Sequence, residues 1–251
     1  MSPHVYILTS LLVFFFSGLM AMAGLGAALL LVPIFYYMGV PLGDAVPSAL
    51  LLNAISLSFA SINYVRAGLV DWRIGLPILV TAVVLSPLGA RLTPFVNKEM
   101  LLALFVAFLL FAGGMMLFYK SKQRDLPADS RATLPLGLGV GAVAGFLGGL
   151  LGVGGGNIVV PTLNWLGLNT KVAVGTTAIV VVFSSLSGFL GHISLGTLDP
   201  IFIGVMAVMA ALGSSVGSFL MMFKVSSNQL KRIIGIALWL IAAKMMFDLM
   251  N

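Results

Sequence analysis

The chain carries one pattern twice. Gly24-Leu-Gly-Ala-Ala-Leu-Leu-Leu-Val-Pro33 returns 128 residues later as Gly152-Val-Gly-Gly-Gly-Asn-Ile-Val-Val-Pro161. The same offset pairs Gly39 with Gly167, Ala45 with Ala173, Gly68 with Gly196, Asp71 with Asp199 and Gly89 with Gly217. No gap interrupts the register. A duplication of this kind in an apolar chain specifies two structural repeats. The break inside each repeat then marks where a transported ligand sits.

Composition sets the solvent. Of 251 residues, 60% are hydrophobic and only 8% are charged. A soluble domain needs about 25% charged residues to cover its surface. The apolar runs reach the roughly 20 residues that cross a bilayer. The chain therefore reads as an all-α polytopic integral membrane protein, with the lipid bilayer as its main partner. Its net charge of +6 lies in short loops, so nucleic acid is not an expected partner. With no Cys there is no disulfide, thiolate metal site or cysteine nucleophile. No cofactor and no metal is expected. Residues 5–20 followed by Ala21-Met22-Ala23 resemble a signal peptide, but residues 1–4 lack the positive n-region. The matching segment 133–151 lies mid-chain, so cleavage is not expected.

Hydropathy divides the chain into residues 1–119, a hydrophilic linker 120–132, and residues 133–251. Each half opens with a long apolar stretch broken by glycine: 5–38 at Gly24-Leu-Gly26, and 133–166 at 152–156. Three further apolar segments follow each: 45–65, 74–94 and 100–119, then 172–194, 201–223 and 229–250. Two topologies compete. If each broken stretch crosses once, the chain has eight simple spans and parallel halves. Lys and Arg then divide about evenly between the two sides. If each is a re-entrant hairpin, three full spans per half make the repeats inverted. One side then holds Arg66, Arg73, Lys120, Lys122, Arg124, Arg131, Lys171, Lys224, Lys231 and Arg232; the other holds Arg91, Lys98 and Lys244. The positive-inside rule favours the second arrangement. It puts the linker in the cytoplasm and both termini outside a cell inner (plasma) membrane.

Irregular backbone at membrane depth is tolerated only when buried in protein or lining a cavity. In each hairpin a second helix would start near Ala27 or Gly155, its N-terminus aimed at the midplane. Helix N-termini present free N–H groups and a positive dipole end, which suits an anion. Gly24, Gly26, Gly152, Gly154, Gly155 and Gly156 would let an oxyanion approach the backbone. Asn157, Ser48, Thr176 and Thr177, with Asn53 and Ser184 deeper in the following spans, supply donors. Ser56 and Ser185 lie at the same depth. The competing reading of the glycines is close helix packing, and of the hydroxyls, bonds to their own helices. Ser86, Ser214, Ser215 and Ser218 fit that packing role.

No Asp or Glu lies deep within a span. His192 sits near a span end, where an interfacial role is the simpler reading. Lys244 is placed to snorkel. Asp71 and Asp199 are placed to cap the helices that follow. Trp72, Trp165 and Trp239 suit interfacial anchoring.

At Gly145-Phe-Leu-Gly-Gly-Leu-Leu-Gly-Val-Gly-Gly-Gly-Asn-Ile-Val-Val-Pro161, and its weaker copy Ser17–Pro33, the chain resembles the sulfite exporter TauE/SafE family. The first copy departs from the pattern at Ala27 and Ala28. The resemblance covers essentially the whole chain. It implies movement of sulfite, sulfonates and related organosulfur anions, often outward. Without Cys the chain is unlike thiosulfate-uptake relatives that rely on cysteines. The expectation is a secondary transporter of small, sulfur-containing oxyanions, exporting by alternating access, with a homodimer as an allowed state. The rivals are an anion channel, a non-transporting partner subunit and, weakest, an enzyme. The chain has no His-Glu-x-x-His, Asp pair or Cys to support catalysis.

Overall fold

The computed structural model describes residues 3–118, 130–192, 200–223 and 226–250. Every regular element among them is helical. The first half comprises α1 (Pro3–Met22), α2 (Ala28–Tyr37), α3 (Leu42–Arg66), α4 (Trp72–Leu92), a 3-10 turn (Thr93–Phe95) and α5 (Lys98–Phe118). The second comprises α6 (Ser130–Leu151), α7 (Gly156–Trp165), α8 (Thr170–His192), α9 (Pro200–Phe223) and α10 (Ser227–Met250). Five of these helices are long and apolar enough to cross a membrane. The linker 120–132 falls almost wholly outside the described residues, as do Gly196 and Asp199 and the Trp165 side chain.

Four contacts settle helix directions. The Asp71 amide donates to Thr176 Oγ1 at 2.9 Å, joining the start of α4 to the start of α8. The Asn53 amide donates to Ser185 Oγ at 2.9 Å where α3 and α8 cross. Gly188, near the end of α8, lies against Leu50, early in α3. The helices α3 and α8 are therefore antiparallel and form the centre of the bundle. Lys171 Nζ donates to the Met222 carbonyl, so α9 ends where α4 begins. Equivalent helices thus run in opposite directions. One end of the bundle, called here the Tyr64 end, gathers the end of α3 and the starts of α4 and α8. The opposite end is the His192 end.

Both broken stretches are hairpins. Tyr6, early in α1, and Phe35, late in α2, each stack on Phe202, with ring centroids at 5.1 and 6.3 Å. Thr9 Oγ1 reaches Met38 Sδ at 3.5 Å. The start of α1 and the end of α2 therefore share the His192 end. The start of α6 and the end of α7 share the Tyr64 end: Gly137 meets Pro77 and Ile74 of α4, while α7 leads directly into α8. The arms are unequal. At about 1.5 Å per residue, α1 and α6 measure roughly 30 Å and α2 and α7 roughly 15 Å. The long arm runs from one end of the bundle toward the other, and the short arm begins near the α3–α8 crossing.

Many glycines pack these long arms. Along α6, Gly141, Gly145 and Gly149 face the backbones of Ile78, Ala82 and Ser86 on α4. Gly18 on α1 meets Gly213 and Gly217 on α9 in the equivalent place. Small residues allow such backbone contact where hydrophobicity gives no preference for helix over lipid. Gly145→Leu is expected to wedge α6 from α4 and to destabilise the fold by about 1–3 kcal/mol or more. A lower melting midpoint in detergent measures this. The outer faces carry lipid-facing stripes, such as Val80, Val84 and Leu88 on α4 and Val208, Leu212, Val216 and Phe219 on α9. Of the described cationic side chains, Arg66, Arg73, Lys171 and Arg232 belong to the Tyr64 end, and Arg91 and Lys244 to the other. Lys244 Nζ lies 3.8 Å from the Tyr37 ring centroid, a cation–π contact at a helix end. Trp72 and Trp239 are partly exposed, and Trp239 Nε1 donates to the Leu110 carbonyl.

Candidate functional site

The two hairpin tips meet at the α3–α8 crossing. Gly156, the first residue of α7, lies against the Leu25 backbone in the tip of the first hairpin and against Val181. Equivalent glycines turn the chain in the same way: Gly24 and Gly26 have φ of 69° and 77°, and Gly152 and Gly154 have 70° and 73°. These left-handed values favour glycine. A Cβ at Gly26 would fall on the Asn53 carboxamide, and one at Gly154 would strike Ser185 Oγ, Asn53 Nδ2 and Val181. Gly24 presses on Val174, and Gly152 on Val46, its equivalent.

The tips differ in chemistry where the repeat differs in sequence. In the first half Asn53 Oδ1 accepts from the Ala28 amide at 3.2 Å and so caps α2. The residue 128 positions after Asn53 is Val181, which offers no acceptor. The helix α7 opens on Gly155, with φ of 76°, and has no side-chain cap. Its equivalent Ala27 is right-handed, at φ −73°. The first N–H groups of any helix lack intrahelical partners. At α2 the Ala28 N–H therefore has an internal acceptor, and the N-cap of α7 supplies none.

Asn157 stands beside this uncapped end. It is 0% exposed, and neither its Oδ1 nor its Nδ2 has a hydrogen-bond partner in the structure. Its chain neighbour Gly156 lies against Leu25 and Val181, so Asn157 starts α7 beside the first tip. Side chains on a helix lean toward its N-terminus, so Asn157 leans toward the tip. Ser184 Oγ donates to the Gly154 carbonyl at 3.1 Å and steadies the turn. Ser48, Ser56 and Thr177 are also buried without a partner.

The structure thus places Gly24 and Gly152 farther out, against Val174 near the start of α8 and Val46 near the start of α3, and brings Gly26, Asn53, Gly154, Gly155, Gly156, Asn157 and Ser184 together at the crossing. Thr176 is not among them, because its hydroxyl accepts from Asp71 at the Tyr64 end. Ser48, its equivalent, occupies the corresponding position in α3 at the opposite end. Asp71 caps α4 through Arg73 N, as its sequence position suggests. Ser86 bonds the Ser184 carbonyl, Ser218 accepts from Asn63, and Ser214 and Ser215 bond the Ala211 carbonyl; all are packing roles. Ser185 belongs to the site more firmly than its sequence position indicated. The available signal was the offset itself, which pairs the polar Asn53 with an apolar residue. Asn53→Val would leave the Ala28 amide and Ser185 unpaired. It is expected to destabilise the fold by about 1–3 kcal/mol, measured by thermal unfolding in detergent.

A helical membrane bundle with two opposed, glycine-turned half-helices meeting near mid-depth is a transporter architecture. The Sulfite exporter TauE/SafE family model matches residues 2–245, and the chain belongs to that family of membrane transporters. It is 23% identical to "Probable membrane transporter protein YunE" of Bacillus subtilis, over 91% of this chain and 92% of that one. A "Probable membrane transporter protein" of Haemophilus influenzae is 27% identical, over 85% of each chain. A second Bacillus subtilis protein, "Probable membrane transporter protein YdhB", is 25% identical over 80% of this chain and 83% of that one. No solved structure matches the chain.

Proposed function

We infer that the protein is a secondary transporter of small, sulfur-containing oxyanions such as sulfite and sulfonates. It exports them by alternating access around the hairpin tips. The observation that carries this reading is the uncapped α7 N-terminus beside the buried, unpartnered Asn157. Backbone N–H groups and a carboxamide Nδ2 together form an uncharged donor set, which lets an anion bind and then leave. The TauE/SafE family supports sulfite as the first substrate to test.

Residues 1–119 and 133–251 supply the two repeats, joined by 120–132. The charge distribution supports a cytoplasmic Tyr64 end in a cell inner membrane, with both termini outside. An inside-negative potential then drives an anion outward by about 2.3 kcal/mol per charge per 100 mV. No catalytic step is required of any residue.

The test is flux of labelled sulfite and sulfonates in proteoliposomes under an imposed potential. Saturating flux that follows the potential supports the transporter. Flux that rises without saturation identifies a channel. A folded preparation that moves no anion leaves a partner subunit as the better reading.

A further inference from the structure

We propose that Tyr64 and Lys171 close one gate of the transport path, and that the cleft beside His192 is the open mouth of the other. This rests on the transporter reading above. Tyr64 and His192 are equivalent residues, 128 apart. Tyr64 fastens the inner end of a long hairpin arm, donating to the Ala21 carbonyl of α1 at 2.6 Å, whereas His192 Nε2 at the equivalent place has no hydrogen-bond partner among the described residues. The two surroundings differ. Tyr64 is fully buried, whereas His192 is half-buried and lines a cleft of about 530 Å³ with Tyr36, Gly43, Asp44, Thr93 and Pro94.

The repeat explains why one end is closed. At the Tyr64 end Lys171 Nζ donates to the Met222 carbonyl at 3.1 Å. That carbonyl lies in the last turn of α9, where helix carbonyls lack internal partners and a cation is favoured. Moving both residues by the offset gives Gly43 and Pro94. Gly43 has no side chain to donate to the Pro94 carbonyl, and both residues line the cleft. The flanking positions agree. Asn164 and Met221 are buried at the Tyr64 end, while their equivalents Tyr36 and Thr93 are half-buried at the cleft.

Among the described residues the Tyr64 end is fastened and buried and the His192 end carries the cleft, so the first is closed and the second open. Exchange of the two states breaks the Lys171–Met222 bond, unseats Tyr64 and buries His192 against α6 as Tyr64 is now buried against α1. An anion arriving at the Tyr64 end competes with the Met222 carbonyl for the Lys171 ammonium, and so favours opening on its own side.

The chain contains no Cys, so single cysteines report each end directly. Thr93→Cys and Met221→Cys, at equivalent positions, are labelled with a hydrophilic maleimide in nanodiscs. Thr93→Cys should react about tenfold faster or more. Adding Lys171→Gly, which copies Gly43, should speed Met221→Cys about tenfold and slow Thr93→Cys, the population shift expected for loss of a charged hydrogen bond. Lys171→Arg can still donate and should leave both rates near their starting values. Tyr64→Phe, which removes one oxygen, should shift both rates in the same directions as Lys171→Gly. Faster reaction at Met221→Cys with no slowing at Thr93→Cys would reduce Lys171 to a local fastening and overturn the gate. So would equal rates at the two ends before any change at Lys171. Flux is measured separately: ends that exchange while no anion moves would remove the transporter reading and keep the gate.

Discussion

Gly154→Leu should stop anion flux, while the same change at Gly39 should not. Both glycines are left-handed, at φ 73° and 85°. A leucine at either pays the same backbone penalty, about 1–2 kcal/mol. Their surroundings separate them. A Cβ at Gly39 meets nothing within 4 Å, whereas one at Gly154 strikes Ser185, Asn53 and Val181 together. The added side chain at 154 must push the second tip away from the α3–α8 crossing. The Ser184–Gly154 bond and the Gly156–Leu25 contact are then lost. Gly39→Leu should lower the melting midpoint slightly and leave sulfite flux near the wild-type rate. Gly154→Leu should lower the midpoint further and reduce flux to that of empty liposomes. If both variants lose flux equally, backbone strain alone explains the defect and the tip has no special role.

The fold was largely legible because apolar length and the offset are long-range signals in the sequence. Breaks at Gly24–Gly26 and 152–156 became turns, and α2 and α7 begin at Ala28 and Gly156, next to the residues named for those starts. The unequal hairpin arms were not legible. Hydropathy places a break but does not say how deep the first arm runs. That depth is set by backbone contact such as Gly145 on Ala82 and Gly18 on Gly213. The site was legible in its glycines and in Asn53 and Asn157, and less so in its hydroxyls. Thr176 and Thr177 are neighbours in sequence, yet the rotation of about 100° between successive helix residues sends only the first to Asp71. Tyr64 carried no local signal, since a buried tyrosine in a span reads as core. Only pairing it with His192 through the offset marks it out.

Asn157→Leu is expected to make the protein more stable and unable to transport. A buried polar group without a partner costs about 1–3 kcal/mol, and Asn157 has both of its polar atoms in that condition. Its equivalent is Leu29, fully buried at the start of α2, so the fold accommodates leucine at this position of the repeat. The substitution should raise the melting midpoint by a few degrees, taking roughly 2–4 °C per kcal/mol for a chain of this size. Packing alone gives no reason to keep the amide. An anion held by Nδ2 and the α7 N–H groups would supply the missing acceptor, and its removal should cut sulfite flux at least tenfold. Asn157→Asp separates polarity from charge. A carboxylate at a helix N-terminus is favoured by the dipole, so this variant should fold, but it fills the donor site with its own negative charge and excludes the anion. Wild-type flux in the leucine variant would place the substrate path elsewhere. A loss of flux together with a lower midpoint would mean that Asn157 is structural. A gain in stability with a loss of flux is the pairing that only a ligand site at the α7 tip predicts.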